Sequence, residues 1–148
     1  MNNIASFLMD KAVQILSQHK LRKTPFRLDV LKLFLNNSTK GLTTHYIEES
    51  LEDFDRITLY RTLKTFEKSG VIHVAIDTSQ TTKYALCHDD CTAHNHLDDH
   101  AHFLCNQCGE TYCLENVIRP EITLPSDYTL SSAHLALSGI CSSCNAES

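Results

Sequence analysis

The chain has 148 residues, of which 42% are hydrophobic, and its formal net charge is −5 at pH 7. This length suits one domain or two small ones. The N-terminus lacks the basic flank and apolar run of a signal peptide, and no stretch approaches the roughly 20 apolar residues of a membrane span, so a cytoplasmic location away from membranes is predicted. Seven cysteines in a reducing compartment favour metal binding over disulfides.

The charge is divided unevenly along the chain. Residues 1–83 hold 12 Lys and Arg against 9 Asp and Glu, a net +3, whereas residues 84–148 hold 1 against 9, a net −8. A basic part could meet nucleic-acid phosphates, and an acidic part rich in His and Cys could hold cations. The pattern therefore predicts a division of labour between the two parts.

The first half shows the apolar spacing and the capping residues of helices. Thr24 followed by Pro25 combines an N-cap with the residue favoured at the first helical position. Asp55 is a second N-cap, and Gly70 is a typical helix stop. Helices are predicted over residues 6–19, 25–36, 44–51 and 56–69, with a loop at 37–41.

The last of these helices is predicted to be followed by a β-hairpin. Its apolar positions are Ile57, Leu59, Leu63 and Phe66. Beyond it, two runs of strand-like residues at 71–76 and 81–86 flank a polar turn. Helices followed by a hairpin are the pattern of a winged helix-turn-helix, in which the helix before the hairpin reads DNA.

The second half has the pattern of short strands around metal ligands. Strands are predicted at 102–105, 111–114 and 128–138. Prolines at 120 and 125 exclude one long helix over residues 115–127. The boundary between the two halves is predicted between residues 86 and 87.

Four cysteines form two pairs of identical spacing, Cys105 with Cys108 and Cys141 with Cys144. Each Cys-x2-Cys pair lets two sulfurs of one turn bind one metal, and two such pairs are a specific signal for a tetrahedral zinc site. This site is predicted to hold structural zinc that contributes directly to folding.

The chain has more residues of metal-ligand type than one closed site requires. Thiolate and imidazole ligands select zinc over iron or manganese, which accept more oxygen ligands. The sequence therefore predicts a second, regulatory metal, with zinc preferred and iron or manganese as alternatives. The candidate ligands are His73, Cys87, Cys91, His94, His96, His100, His102 and Cys113.

Several motifs occur in the order found in one family of bacterial regulators. They are Leu21-Arg-Lys-Thr-Pro-Phe-Arg27, Ile57-Thr-Leu-Tyr-Arg-Thr-Leu63, Gly70-Val-Ile72, His100-Ala-His102 and Cys105-x2-Cys108-Gly109. Through them nearly the whole chain resembles the ferric uptake regulator family of metal-dependent repressors. The resemblance implies an α+β fold, with a winged-helix DNA-binding domain at 1–86 and a zinc-stapled α/β dimerisation domain at 87–148. It also implies a homodimer on a roughly palindromic DNA operator.

The resemblance narrows the roles of the candidate ligands. His73 and Cys87 sit where zinc-sensing members place a His and a Cys, and Cys113 sits where they place an acidic ligand. A loop histidine, His100 before His96, would complete four. His100 and His102 instead match the family's iron-type pair, which would leave a third site for Cys87, Cys91, His94 and His96. Zinc bound by the first set would order the hinge between the halves and raise DNA affinity.

The helix at 56–69 carries the residues expected to contact DNA. Tyr60 and Arg61 match positions that contact DNA in the family, and neighbouring basic residues would hold phosphates. The other expected contacts are Arg22, Lys23, Thr24, Arg27, Arg56, Thr58, Lys64 and Lys83.

Three other functions remain open at this point. An iron or peroxide sensor would use His100 and His102, and a constitutive DNA-binding protein would hold purely structural metals. A zinc-dependent hydrolase is suggested by His94-Asn-His96-Leu-Asp-Asp99-His100, but that run is one residue longer than the hydrolase motif. The helix-turn-helix half has no role in a hydrolase, so no enzymatic activity is predicted.

Overall fold

The computed structural model describes residues 2–87 and 100–147. Within these ranges, helices dominate the first half and strands the second. The elements are α1 (Asn2–Gln18), α2 (Pro25–Asn36), β1 (Lys40–Thr43), α3 (Thr44–Ser50), α4 (Arg56–Ser69), β2 (Ile72–Val74), β3 (Lys83–Leu86), β4 (His100–Cys105), β5 (Thr111–Ile118), β6 (Ala136–Gly139) and α5 (Ser142–Glu147). The predicted α+β class is confirmed.

The helix boundaries follow the capping residues. The Thr24 side chain accepts a hydrogen bond from the Arg27 N–H at the start of α2, and Asp55 accepts one from the Thr58 N–H at the start of α4. Gly70 ends α4 with φ +83°, a left-handed conformation that glycine adopts without a steric penalty. These contacts confirm the helices predicted from local signals.

The hydrophobic core of the first half lies under α1 to α4 and the hairpin. Its largest buried side chains include Leu16, Leu31, Phe34, Ile47, Leu59, Leu63, Phe66 and Ile72. Of the four apolar positions of α4, Leu59, Leu63 and Phe66 are buried, whereas Ile57 is 60% exposed. Two residues of helix rotate the side-chain direction by about 200°, so Ile57 and Leu59 face opposite sides.

One sheet joins the two halves of the chain, with strand order β2-β3-β1-β5-β4-β6. The predicted hairpin is confirmed as the antiparallel pair β2–β3. The loop predicted at 37–41 is partly wrong, because Lys40–Thr43 forms β1 between β3 and β5. The division into domains at residues 86 and 87 stays a prediction.

The strands of the second half surround the first cysteine pair. β4 pairs antiparallel with β5 and parallel with β6, which confirms the strands predicted at 102–105 and 111–114. The strand predicted at 128–138 is wrong for most of its length, because β6 pairs with β4 only from Ala136. Residues 119–135 form no helix or strand and are mostly exposed. No helix within 2–87 or 100–147 is long and apolar enough to cross a membrane.

Candidate metal centres and nucleic-acid interface

The two cysteine pairs meet where the turn after β4 approaches α5. Cys105 Sγ lies 3.8 Å from Cys144 Sγ, and Cys108 Sγ lies 3.9 Å from Cys141 Sγ. Sulfurs at the corners of a tetrahedron with Zn–S bonds of about 2.3 Å are about 3.8 Å apart. The spacing therefore fits one zinc ion held by all four residues that the sequence singled out.

Backbone N–H groups favour the thiolate form at one corner of this site. The pKa of Cys105 is lowered to about 6, chiefly by the hydrogen bond from the N–H of Cys108. Burial acts to raise this pKa, and the hydrogen bond from the N–H of Cys141 acts to lower it further. A hydrogen bond with Cys141 is the main cause that raises the pKa of Cys144 to about 12. Without metal, the four sulfurs thus share at least one proton, which zinc must displace.

A second cluster of possible ligands joins the hairpin to the C-terminal strands. His73 lies on β2, His100 and His102 lie on β4, and Cys113 lies on β5. All four are buried, and each offers a ligand atom within 4.8 Å of the others. Strand alternation brings His100 and His102 to one side, with ring centroids 4.8 Å apart. The cluster therefore draws on both halves of the chain.

The distances and donor types of this cluster fit a tetrahedral metal ion. His73 Nε2 lies 3.2 Å from His102 Nε2 and 3.8 Å from Cys113 Sγ. Nitrogen ligands with Zn–N bonds of about 2.0–2.1 Å stand about 3.3 Å apart. Three imidazoles and one thiolate form a set without carboxylate oxygen, which suits zinc better than manganese or iron.

The remaining predicted ligands lie beside this cluster or beyond the described ranges. Cys87 follows β3, is half-buried, and places its Sγ 3.4 Å from His73 Nδ1. Cys91, His94 and His96 lie outside the described residues.

The outer face of α4 carries the side chains expected to contact DNA. All of them are exposed: Arg56, Thr58, Tyr60, Arg61 and Lys64. Glu48 on α3, which the sequence analysis did not single out, lies 3.5 Å from Arg56 Nε and accepts a hydrogen bond from the Tyr60 hydroxyl at 3.4 Å. Nothing in the local sequence distinguishes Glu48 from its exposed neighbour Glu49.

The segment before α2 supplies further basic side chains. Arg22 and Lys23 are exposed, while Arg27 is half-buried and donates from Nη1 to the Arg22 carbonyl at 3.3 Å. Thr24 uses its hydroxyl oxygen as the N-cap of α2. The helix start therefore orients this basic segment.

Lys83 is placed differently from its predicted role. Its side chain is buried, and Nζ lies 3.3 Å from both Asp77 Oδ2 and the Gly109 carbonyl and donates to the Thr111 hydroxyl. Gly41 leaves room for it, since a Cβ there would lie 3.2 Å from Lys83 Cβ. The prediction that Lys83 contacts DNA phosphates is wrong, because the buried side chain packs beside Gly41 of β1 and donates to Thr111 of β5.

Asp77 and Thr111 complete a small polar network that sequence reasoning missed. The Thr111 hydroxyl donates to Asp77, and Ser79 donates to the same carboxylate. Burial acts to raise the pKa of Asp77, but the hydrogen bonds from Ser79 and Thr111, together with the charge of Lys83, lower it below its usual value. The network links the turn of the hairpin to the first residue of β5.

Comparison with known proteins identifies the family of the chain. The model of the ferric uptake regulator family matches residues 18–138. The ferric uptake regulation protein of Staphylococcus aureus is 30% identical over 144 residues, covering 90% of this chain and 95% of that protein. Its Staphylococcus epidermidis counterpart is 30% identical over 139 residues, covering 90% and 94%.

Solved structures share the fold. A zinc uptake regulator in complex with zinc and DNA superimposes with a TM-score of 0.64 at 23% identity, covering 96% of this chain and 95% of that one. The Vibrio cholerae ferric uptake regulator superimposes with a TM-score of 0.57 at 20% identity, covering 86% and 98%. Members of the family are metal-responsive transcription regulators rather than enzymes, which confirms the prediction of no enzymatic activity. The chain belongs to the ferric uptake regulator family.

Proposed function

We propose that the chain is a DNA-binding repressor of metal-homeostasis genes that senses zinc. The observation that carries the proposal is the buried cluster of His73, His100, His102 and Cys113, which contains three imidazoles and one thiolate. Such a soft donor set favours zinc over metals that prefer oxygen. The four paired cysteines hold a separate structural zinc.

The position of the cluster suggests how metal controls DNA binding. A bound zinc ion would act as a Lewis acid and accept a coordinate bond from each of the four side chains. Because His73 belongs to the hairpin and its three partners belong to β4 and β5, the ligands converge only when the hairpin is docked on those strands. Metal binding therefore stabilises the docked arrangement and, through it, the orientation of α4.

DNA binding is proposed for α4 and the basic segment before α2. Tyr60, Arg61 and Lys64 would reach base edges and the backbone in the major groove, while Arg22 and Lys23 would contact phosphates. Support comes from the exposure of these side chains and from the zinc uptake regulator whose structure contains zinc and DNA. A cytoplasmic site of action is part of this proposal.

A homodimer on a roughly palindromic operator completes the proposal. The second half exposes several large apolar side chains, namely Val117, Ile122, Leu124, Tyr128, Leu130 and Ile140. A second copy of the chain would cover part of this apolar surface.

Iron sensing is the second candidate, because the curated relatives at 30% identity are ferric uptake regulation proteins. DNA affinity measured at buffered free zinc, ferrous iron and manganese separates the two. The protein for this test keeps its four-cysteine zinc. We expect zinc to raise DNA affinity at the lowest free concentration. Activation by iron or manganese with no response to zinc would contradict zinc sensing.

A further inference from the structure

Three buried polar side chains join the hairpin to β5, and none of them belongs to either candidate ligand set. Lys83 lies on β3, Asp77 lies in the turn between β2 and β3, and Thr111 is the first residue of β5. Lys83 Nζ lies 3.3 Å from Asp77 Oδ2 and donates to the Thr111 hydroxyl, which itself donates to Asp77. Each side chain therefore contacts both of the others.

Further contacts hold the same two parts of the chain together. Lys83 Nζ also lies 3.3 Å from the carbonyl oxygen of Gly109, in the turn between β4 and β5. β1 pairs antiparallel with β5, and beside this pairing the N–H of Cys113 donates to the Thr39 carbonyl at 2.9 Å. The first half is thus docked on β5 by backbone hydrogen bonds and by a buried ion pair.

The position of α4 follows the position of the hairpin. Leu63 and Phe66 of α4 are buried in one core with Ile72 of β2 and Tyr84 of β3. Because such a core is close-packed, the helix and the hairpin keep their relative arrangement when the hairpin docks or undocks. Contacts between the hairpin and β5 therefore orient the helix that is proposed to bind DNA.

We propose that Lys83, Asp77 and Thr111 form a metal-independent latch, which sets the fraction of the protein that is docked before the second metal binds. The proposal rests on the proposed function, because it takes the docked arrangement as the one that binds DNA. A protein whose binding-competent state is only partly populated binds more weakly in proportion to that fraction. The latch raises the fraction and so limits the range over which zinc can change DNA affinity.

Zinc and the latch stabilise the same docked arrangement. His73 of the hairpin comes within ligand distance of His100, His102 and Cys113 when the hairpin lies on β4 and β5. If the latch is weakened, zinc must bind against a larger undocked population, and the zinc concentration needed for half-maximal DNA binding rises. Since coupling between two stabilising interactions is reciprocal, this concentration rises by the factor that the docked population loses.

DNA affinity measured with and without the second metal tests the latch. Full-length protein keeps zinc in the four-cysteine site, and the probe is a duplex that the zinc-loaded wild type selects from random-sequence DNA. Without the second metal, we expect Lys83→Met to bind this duplex about 10- to 100-fold more weakly than the wild type. At saturating zinc its affinity should return close to that of the wild type. The zinc midpoint of DNA binding should rise by the same factor.

Lys32→Met is the matched control, because the ion pair of Lys32 with Asp29, at 3.3 Å, lies within α2. It should match the wild type at every zinc concentration. Thr111→Val, which removes the hydroxyl between Lys83 and Asp77, should repeat the effect of Lys83→Met at smaller size. Circular dichroism verifies that each protein stays folded after the second metal is removed.

Two results would overturn the latch. The first is wild-type DNA affinity of both Lys83→Met and Thr111→Val without the second metal. The second is a loss of affinity that is equal with and without zinc, because docking would then not be the affected step. Zinc-independent DNA affinity of the wild type would instead contradict the proposed function, and a fall confined to metal-free Lys83→Met would still support the latch.

Discussion

Lys83→Met is expected to destabilise the fold while leaving the contact with DNA phosphates unchanged. Methionine has nearly the length of lysine but carries no charge. The substitution therefore leaves the carboxylate of Asp77, whose side chain is only 1% exposed, without the ammonium group 3.3 Å away. The polar network between the hairpin and β5 loses its cation.

The magnitude follows from the burial of the pair. Removing one partner of a buried ion pair costs about 3–5 kcal/mol, because the other charge stays desolvated. Hydrogen bonds from Ser79 and Thr111 still reach Asp77, which places the expected loss near the lower end, about 3 kcal/mol. For a urea m-value of about 2 kcal/mol/M, the unfolding midpoint falls by about 1.5 M.

Urea unfolding of the zinc-loaded protein measures the loss, and Lys64→Met is the matched control. Lys64 is 68% exposed and pairs with Glu67 at 3.4 Å, so its removal should change the unfolding free energy by less than about 1 kcal/mol. The salt dependence of DNA affinity provides the second measurement. Lys64→Met should reduce the slope of log K against log salt concentration by about 1, as expected for the loss of one phosphate contact, whereas Lys83→Met should leave the slope unchanged.

The reasoning is refuted if the two variants exchange roles. Lys83→Met with an unfolding free energy within about 0.5 kcal/mol of wild type and a smaller salt slope would mean that Lys83 faces DNA.

The remaining predictions concern the same network, the structural zinc and the DNA-facing helix. Thr111→Val should lower the unfolding free energy by about 2 kcal/mol, because its hydroxyl accepts from Lys83 and donates to Asp77; an unchanged urea midpoint would contradict this. Zinc affinity of the four-cysteine site should rise with pH, because the pKa of Cys144 is about 12 without metal and zinc must displace its proton. The expected rise is about tenfold per pH unit for each displaced proton. Competition titrations at two pH values measure this affinity, and equal affinities at both would contradict the prediction. Arg61→Ala should weaken DNA binding without changing the zinc content; full affinity in a mobility-shift titration would exclude a DNA contact.

The helices and the hairpin were predictable because they depend on interactions between residues close in sequence. Thr24, Asp55 and Gly70 act within one helical turn of their own positions, so their roles follow from their identity and spacing. The two cysteine pairs are equally local, and their spacing alone indicates a zinc site.

The pairing of strands that are distant in the chain could not be predicted from the sequence. The segment Lys40-Gly41-Leu42 has the composition of a loop, and it forms a strand only because β3 and β5 flank it. The burial of Lys83 follows from that pairing, since Thr111 comes from β5 and Gly41 from β1. No window of sequence around Lys83 contains this information.

The residue types of the second cluster of possible ligands were predictable from the sequence, but which of the candidate residues come together was not. Spacing identified His100 and His102 as a pair on one face of a strand, and the resemblance singled out His73 and Cys113. That these four converge depends on how β2, β4 and β5 are assembled. The contact of Cys87 Sγ with His73 Nδ1 depends on the assembled hairpin as well.

The most direct test of the account is the DNA affinity of one preparation before and after the second metal is removed. A weak chelator removes the metal bound by His73, His100, His102 and Cys113. Metal analysis then verifies that the zinc of the four-cysteine site remains, and circular dichroism verifies that the fold remains. The account predicts a fall in affinity within the range of about 5- to 150-fold, reversed by zinc in the wild type but not in His102→Ala. Equal affinity of the stripped and the zinc-loaded protein for the same operator would contradict it.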